Sequence, residues 1–404
     1  MLPSDIIAEI LSHLPVKTLL QFRCVSRTWC SIIDSQSFIK MHLHQSTATN
    51  SYHSLILGSL GKGLYSVDLD SLDKAHVVKP PVSYKGFDII SNSCNGLILV
   101  MSDPLVPPVL WNPFSRKYKI LSDAPIEYPA RLLCLSQVFY GLGYDSRNND
   151  YKVVRVVEFC KDTSRAWVCS TTEIYSLKSN SWNRVPVFPY PLPHMNENSE
   201  KWDVHVVHGA LHTLVEDFLH VYSAKSFRIM AFSVENENHY EVMLPPNIQI
   251  KDAIMKLDVL RGCLCLVCAS NARVNNIWVM KEYGVEESWT QLLSVGPPSI
   301  LSFWKSLAYL KPLAYSKNGE KVLLNCDEKR LVWYDLSRKT IRNVNISGLP
   351  NKFYPEVCVE SLVCPGSPEE GDGVKIHEQE KGKEKKIKKN REEFLSEGSS
   401  WCGK

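Results

Sequence analysis

The sequence predicts an α+β multidomain chain: a small helical segment first, a large all-β domain after it and a charged tail at the end. Three observations carry this. Apolar residues recur at helical spacing from Ile6 to Leu14 and again as far as Leu43. From about Ser54 to Cys364 the chain breaks into short β-branched and aromatic runs punctuated by Gly, Pro, Asn and Asp. From Gly366 onward apolar residues thin out, and Gly, Glu and Lys take over. The expected boundaries are 1–44, 45–365 and 366–404.

Bulk properties exclude several classes. The chain has 404 residues, ample for a buried core, and 44% of them are apolar. A net charge of +3 is too small to point to nucleic acid as a partner. No run approaches the roughly eighteen apolar residues that a membrane helix needs, so no membrane partner is expected. The first apolar segment contains Asp5 and Glu9 with no basic residue before it, unlike a secretory leader. Thirteen cysteines, an odd number, then read as reduced thiols of a cytoplasmic and nuclear protein. The sequon Asn345-Ile346-Ser347 is accordingly expected to stay unmodified.

In the first segment, Ile6, Ile7, Ile10, Leu11 and Leu14 mark a helix opened by Pro3 and the expected cap Ser4 and closed by Pro15. A second short helix carries Leu19, Leu20 and Phe22. Ser26 starts a third with Trp29, Ile32 and Ile33, and Phe38, Ile39 and Leu43 suggest a fourth. Twenty-two of the first 43 residues are apolar. A unit of about 40 residues cannot cover that much apolar surface with its own few turns. The surplus must be buried on the rest of the chain or on a partner.

In the long middle stretch one unit recurs: an apolar-aromatic strand, a polar turn, then a second strand. It is seen at Leu64–Leu69, Val109–Phe114, Glu173–Leu177, Ile229–Val234, Asn276–Met280 and Leu331–Leu336. With Tyr65, Leu110, Ile174, Ala231, Ile277 and Val332 as anchors, the intervals are 45, 64, 57, 46 and 55 residues. Such spacing fits a kelch-like four-stranded blade of about 50 residues, and six units make a six-bladed propeller. An irregular β-sandwich is the competing architecture.

Several residues invite chemistry. Cys263, Cys265 and Cys268 are candidate thiolate ligands, but on a strand the first two share a face and the third points away. His205, His208 and His212 would form a metal face on a helix, yet Gly209 and Val-rich flanks read as strand and turn. Asp145, Asp150, Glu216 and Asp217 are carboxylates that would have to pair for acid–base work, and most sit in turn contexts. No phosphate loop, dinucleotide fingerprint or nucleophile elbow is present. No catalytic residue, cofactor or metal is expected.

The opening run resembles an F-box. Leu2-Pro3-Ser4-Asp5 begins it, Leu14-Pro15-Val16-Lys17-Thr18-Leu19-Leu20 continues it, and Phe22-Arg23-Cys24-Val25-Ser26-Arg27-Thr28-Trp29 completes it. The resemblance implies a helical module that docks on a Skp-type adaptor and, through it, on a cullin scaffold. It places Leu2, Pro3, Ile6, Leu11, Leu14, Pro15, Leu19 and Leu20 at the adaptor face with Val25 and Trp29 nearby; some of these are core rather than contact.

A second resemblance covers the β-domain. Ser93-Cys94-Asn95-Gly96-Leu97, Trp111-Asn112-Pro113, Gly141-Leu142-Gly143-Tyr144-Asp145 and Asp150-Tyr151-Lys152-Val153-Val154 are similar to the F-box-associated interaction domain of plant F-box proteins. So are His208-Gly209-Ala210-Leu211-His212, Gly262-Cys263-Leu264-Cys265-Leu266 and Val279–Gly284 with Ser288-Trp289. The order of motifs looks most like the constitutive-expresser-of-pathogenesis-related-genes type, whose members restrain plant immune signalling. It implies a substrate-recognition subunit of a ubiquitin ligase whose protein target, an immune receptor by that likeness, is not readable from residues. Ligase-independent scaffolding and a propeller with its own sugar-binding or enzymatic site are the competing functions.

The tail balances nine basic against nine acidic residues, but Lys381–Arg391 holds seven basic residues and one acidic. It is expected to be disordered, its basic run suiting nuclear import or a weak anionic contact, and a helical, solvated tail is the competing reading. Glu392-Glu393-Phe394-Leu395-Ser396 resembles a terminal motif of the same plant subgroup, and the residues after it depart from that pattern.

Overall fold

The computed structural model describes residues 3–49, 51–59, 63–81, 89–101, 106–130, 133–161, 167–188, 190–191, 205–217, 226–246, 248, 254–269, 275–296 and 310–366. The charged tail beyond Gly366 lies outside the described residues.

Four helices open the chain: α1 (Ser4–Ser12), α2 (Val16–Phe22), α3 (Arg27–Asp34) and α4 (Gln36–Thr49). Ser4 is itself helical, so it is not the cap; Pro3 holds that position at φ −57° and ψ 147°. Its carbonyl receives the amide of Ile7 at 3.1 Å. α3 is capped as expected, with Ser26 Oγ accepting from Trp29 N at 3.1 Å. α4 runs on past His44 to Thr49.

Three strands follow, β1 (His53–Ser59), β2 (Gly63–Asp68) and β3 (His76–Val78). Blade I is β4 (Ile89–Cys94), β5 (Leu97–Met101), β6 (Val109–Trp111) and β7 (Tyr118–Ile120). Blade II is β8 (Leu133–Asp145), β9 (Asp150–Lys161), β10 (Trp167–Ser176) and β11 (Ser181–Val185). Blade III is β12 (His205–Val207), β13 (Ala210–Asp217), β14 (Ser226–Ser233) and β15 (Asn238–Val242). Blade IV is β16 (Ile254–Leu260), β17 (Cys263–Ala269), β18 (Asn275–Met280) and β19 (Trp289–Val295). Blade V is β20 (Leu310–Tyr315), β21 (Lys321–Cys326), β22 (Arg330–Asp335) and β23 (Thr340–Val344). The last strand, β24 (Tyr354–Val359), returns to pair antiparallel with β1, so blade VI has the order β24–β1–β2–β3.

The architecture is a six-bladed propeller, not a sandwich. The inner strands touch in the cycle β24, β4, β8, β12, β16, β20 and back to β24. Joining both ends of the domain in one sheet closes that ring and leaves no long inner edge bare. The six sequence anchors all fall on the third strand of a blade: β2, β6, β10, β14, β18 and β22.

The surplus apolar surface of the helices is covered in part by the propeller. Leu11, Val16, Leu19, Ile33, Phe38 and Ile39 belong to one continuous core with Leu97, Leu99 and Leu110 of blade I, Val138 and Val157 of blade II, and Leu362 and Val363 after β24. Residues 1–365 form one compact unit. Another part of the surplus stays open: Ile6, Ile10 and Val25 are exposed.

Candidate functional site

Two places on the molecule gather candidate functional side chains: the exposed side of the helices and the propeller channel. Of the ten residues that sequence assigned to adaptor contact, Leu2 lies outside the described residues. Pro3, Ile6 and Val25 are exposed, while Leu14, Pro15, Leu20 and Trp29 are half-buried. Leu11 and Leu19, at 1% and 0% exposure, are buried in the core that the helices share with the propeller, so they fall among the residues expected to be core rather than contact. Ile10, which sequence did not nominate, is 54% exposed one turn beyond Ile6. The signal was the i, i+4 spacing of two isoleucines, readable only once the buried side of α1 is known. Around this face, Phe22 and Trp29 pack edge-to-face with ring centroids 5.3 Å apart. Arg23 donates to Asp34 at 2.8 Å, tying the end of α2 to α3.

A cavity of about 640 Å³ runs from the channel to the face bearing the helices, where Thr47 of α4 joins its wall. Its depth is a belt of side chains from successive inner strands. His205 Nδ1 lies 3.8 Å from Asp258 Oδ1, and Lys311 Nζ lies 3.5 Å from both Asp258 and Glu356. Glu356 then accepts from the amide of Ser93 at 3.1 Å. Asn92 continues the belt like a strand partner, donating to Leu142 O at 2.7 Å and accepting from Leu142 N at 2.9 Å. Five of the six junctions are thereby stitched by polar contacts. The channel carboxylates Asp258 and Glu356 share a lysine rather than stand as an acid and a base.

The other candidates resolve into structural roles. His205 and His212 face each other in the β12–β13 ladder, with His208 in the turn between. His212 Nε2 meets Tyr283 Oη at 2.7 Å, its Nδ1 lies 3.4 Å from His205 O, and His208 stacks on Tyr283 at 4.8 Å. Burial lowers His212 to about 4, so it is neutral. His208 and His212 therefore meet a tyrosine and His205 an aspartate, rather than a shared ligand position. Cys265 packs between blades IV and V and Cys268 between III and IV, on opposite faces of β17 as expected. Burial pushes Cys268 up to about 12 and Cys265 well above its ordinary value, which disfavours the thiolate that a metal requires. Among the described residues no group of three His, Cys, Asp or Glu is placed to hold a metal ion, and the twelve described cysteines are free thiols.

Asp145 is fully buried and receives Asn148 N at 3.0 Å, Asn148 Nδ2 at 2.8 Å and Lys152 Nζ at 3.0 Å. Burial alone would raise its carboxyl, but these donors outweigh it and hold it below the usual range. Asp150 accepts from Ser176 Oγ at 2.5 Å and Lys178 N at 3.0 Å. Both carboxylates cap turns, as sequence anticipated. The side chains of Glu216 and Asp217 lie outside the described residues.

The chain matches the F-box domain over residues 1–41 and the F-box associated beta propeller domain over residues 63–364. It is 34% identical to F-box protein CPR1 of Arabidopsis thaliana, with 98% of each chain covered. It is 32% identical to F-box protein At4g22390 of the same plant over 91% of each chain, and 30% identical to F-box/kelch-repeat protein At3g23880 over 76% of this chain and 82% of that one. Among solved structures, an oligogalacturonate lyase in complex with manganese covers 70% of each chain at 11% identity and a TM-score of 0.40, a likeness that bears on nothing further. With the helical module, the closed ring of six blades and both domain matches in one chain, this protein belongs to the F-box proteins that carry an F-box-associated β-propeller domain.

Proposed function

We propose that the protein is the substrate-recognition subunit of a Skp–cullin–F-box ubiquitin ligase. The observation that carries this is the exposure of Ile6, Ile10 and Val25 on a helical module whose buried side chains share one core with the propeller. Covering each such side chain contributes about 1.5–3 kcal/mol, and a Skp-type adaptor is the partner that an F-box domain implies. No residue of the chain performs covalent chemistry in this reading. The propeller holds a target protein while the helices fix the receptor to the adaptor and, through it, to a cullin, so that transfer becomes effectively intramolecular. The likeness to the plant subgroup extends the proposal to an immune receptor as target and to restraint of immune signalling as outcome.

The test is co-expression with a plant Skp-type adaptor. The expected result is an equimolar complex that also captures cullin. A folded receptor that elutes alone from an excess of adaptor would overturn the reading and bring the scaffold function forward.

A further inference from the structure

We propose that Asn112 is a positioning residue that clasps the exit of the propeller and thereby sets the orientation of the helical module. Asn112 sits in the turn after β6, within Trp111-Asn112-Pro113, and is 0% exposed. Every hydrogen-bonding position of its side chain is used. Its Nδ2 donates to the carbonyls of Ser361 at 2.9 Å and Val363 at 2.8 Å, with Ser361 Oγ a further 3.4 Å contact. Its Oδ1 accepts from Phe114 N at 2.9 Å and Ser115 N at 3.1 Å. The first pair reaches the far end of the domain, while the second only shapes the local turn.

The segment so held does two things. Leu362 and Val363 enter the core that contains Leu11, Leu19, Phe38 and Ile39 of the helices. Ser361 Oγ donates to Asn95 O at 2.8 Å, against the turn where Gly96 adopts φ +83°. A Cβ on Gly96 would come within 2.2 Å of Ser361 Oγ and 2.6 Å of Val359 O. The entry of the domain is tied to the same place. Glu360 N donates to Tyr52 O at 2.8 Å, and Tyr52 Oη donates to His13 O at 2.5 Å, at the end of α1. Two motifs that local turn chemistry leaves unexplained, Ser93–Leu97 and Trp111–Pro113, thus build one clasp between the blade I turns, the last residues of the ring and the helices.

A clasp of this kind makes the helices and the propeller one body instead of two modules on a tether. Its consequence for transfer, a target presented along one fixed direction, rests on the ligase reading; the clasp itself does not.

Spin labels carried on unnatural amino acids at the exposed positions Lys40 and Arg338 measure the orientation in the full chain. The native protein should give a single narrow distance. Asn112→Asp keeps the acceptor for Phe114 N and Ser115 N but turns a carboxylate oxygen onto the Ser361 and Val363 carbonyls. It should lose the narrow distance while adaptor binding and the β-sheet circular dichroism signal persist. Leu362→Ser, which leaves the blade I turn untouched, should do the same. A narrow, unshifted distance in either folded variant would overturn the proposal. Global unfolding of both would overturn it as well, since the clasp would then hold up the ring rather than orient the helices.

Discussion

Lys152 Nζ lies 3.0 Å from the buried Asp145 carboxylate of its own blade and 2.9 Å from Glu237 of the next. It also donates to Val234 O at 2.8 Å, so one ammonium bolts blade II to blade III. We predict that Lys152→Met destabilises the protein by about 3–5 kcal/mol, because Asp145 would be left charged and buried without its cation. The native carboxyl of Asp145 is held below its ordinary value, so its contribution is present at neutral pH and fades as pH falls below about 4. Urea unfolding midpoints at neutral pH check this, and a loss under about 1 kcal/mol would show the bolt to be dispensable.

Glu360 sets an opposite dependence. Burial, with the charges of Asp68 and Asp70 adding to it, raises its carboxyl to about 7 against the opposing hydrogen bond from Ser54. The folded state thus binds a proton more tightly than the unfolded chain does. Its stabilising contribution is complete below about pH 4.5 and is lost as pH rises toward and through about 7, on the order of 3 kcal/mol in all. We predict that Glu360→Gln, uncharged throughout, flattens the stability profile between about pH 5 and pH 8 and leaves the variant more stable than the native protein at the upper end. Parallel pH slopes for the two proteins would show that the carboxyl is ionised without penalty.

The fold was legible in sequence where local pattern and burial agree. The third strand of each blade lies between two neighbours in the sheet, and its apolar-aromatic runs, such as Leu331–Leu336 in β22, announced the repeat. Inner strands were harder to see. They are short or carry channel residues, as with His205 in the three-residue β12 and Lys311 in β20, and polar residues in a strand look like a turn. The pairing of β24 with β1 joins residues some 300 positions apart and has no local trace. On the helices the period located the apolar stripes, yet with both sides of α1 apolar it did not tell Leu11 in the core from Ile10 on the surface. What Asn112 holds was hidden for the same reason as β24: its partners are 249 and 251 residues away.

Glycines at the first turns of the blades supply a graded test of the clasp region. Gly96 and Gly262 both have positive φ, +83° and +76°, so alanine is strained at either by roughly 1 kcal/mol. Only Gly96 faces an obstacle, and one part of it is the backbone oxygen of Val359, which has no rotamer in which to retreat. We predict that Gly262→Ala costs about 1 kcal/mol and Gly96→Ala several times that, in the range of about 3 kcal/mol or more for overpacked sites. Thermal melts of the two variants decide it; equal losses would mean that the end of β24 can shift away from blade I.

The division of the helices into a sunken and an open side yields the sharpest contrast. Leu19 is fully buried in the shared core and Ile10 is 54% exposed, although both lie on short helices with the same apolar composition. Leu19→Ala should therefore cost about 2–5 kcal/mol through the cavity it leaves, with the propeller melting at lower temperature because the core is common to both. Ile10→Asp removes a side chain that is more than half exposed, so its effect on stability should be far smaller, about 1 kcal/mol or less. On the adaptor it should act strongly, since a carboxylate would be desolvated where a butyl group had been covered, weakening binding by at least about tenfold. Calorimetry of each variant alone and titration with the adaptor separate the two effects. If Ile10→Asp binds as the native protein does, the adaptor does not sit on this face of α1, and the exposed pair Ile6 and Ile10 serves another partner.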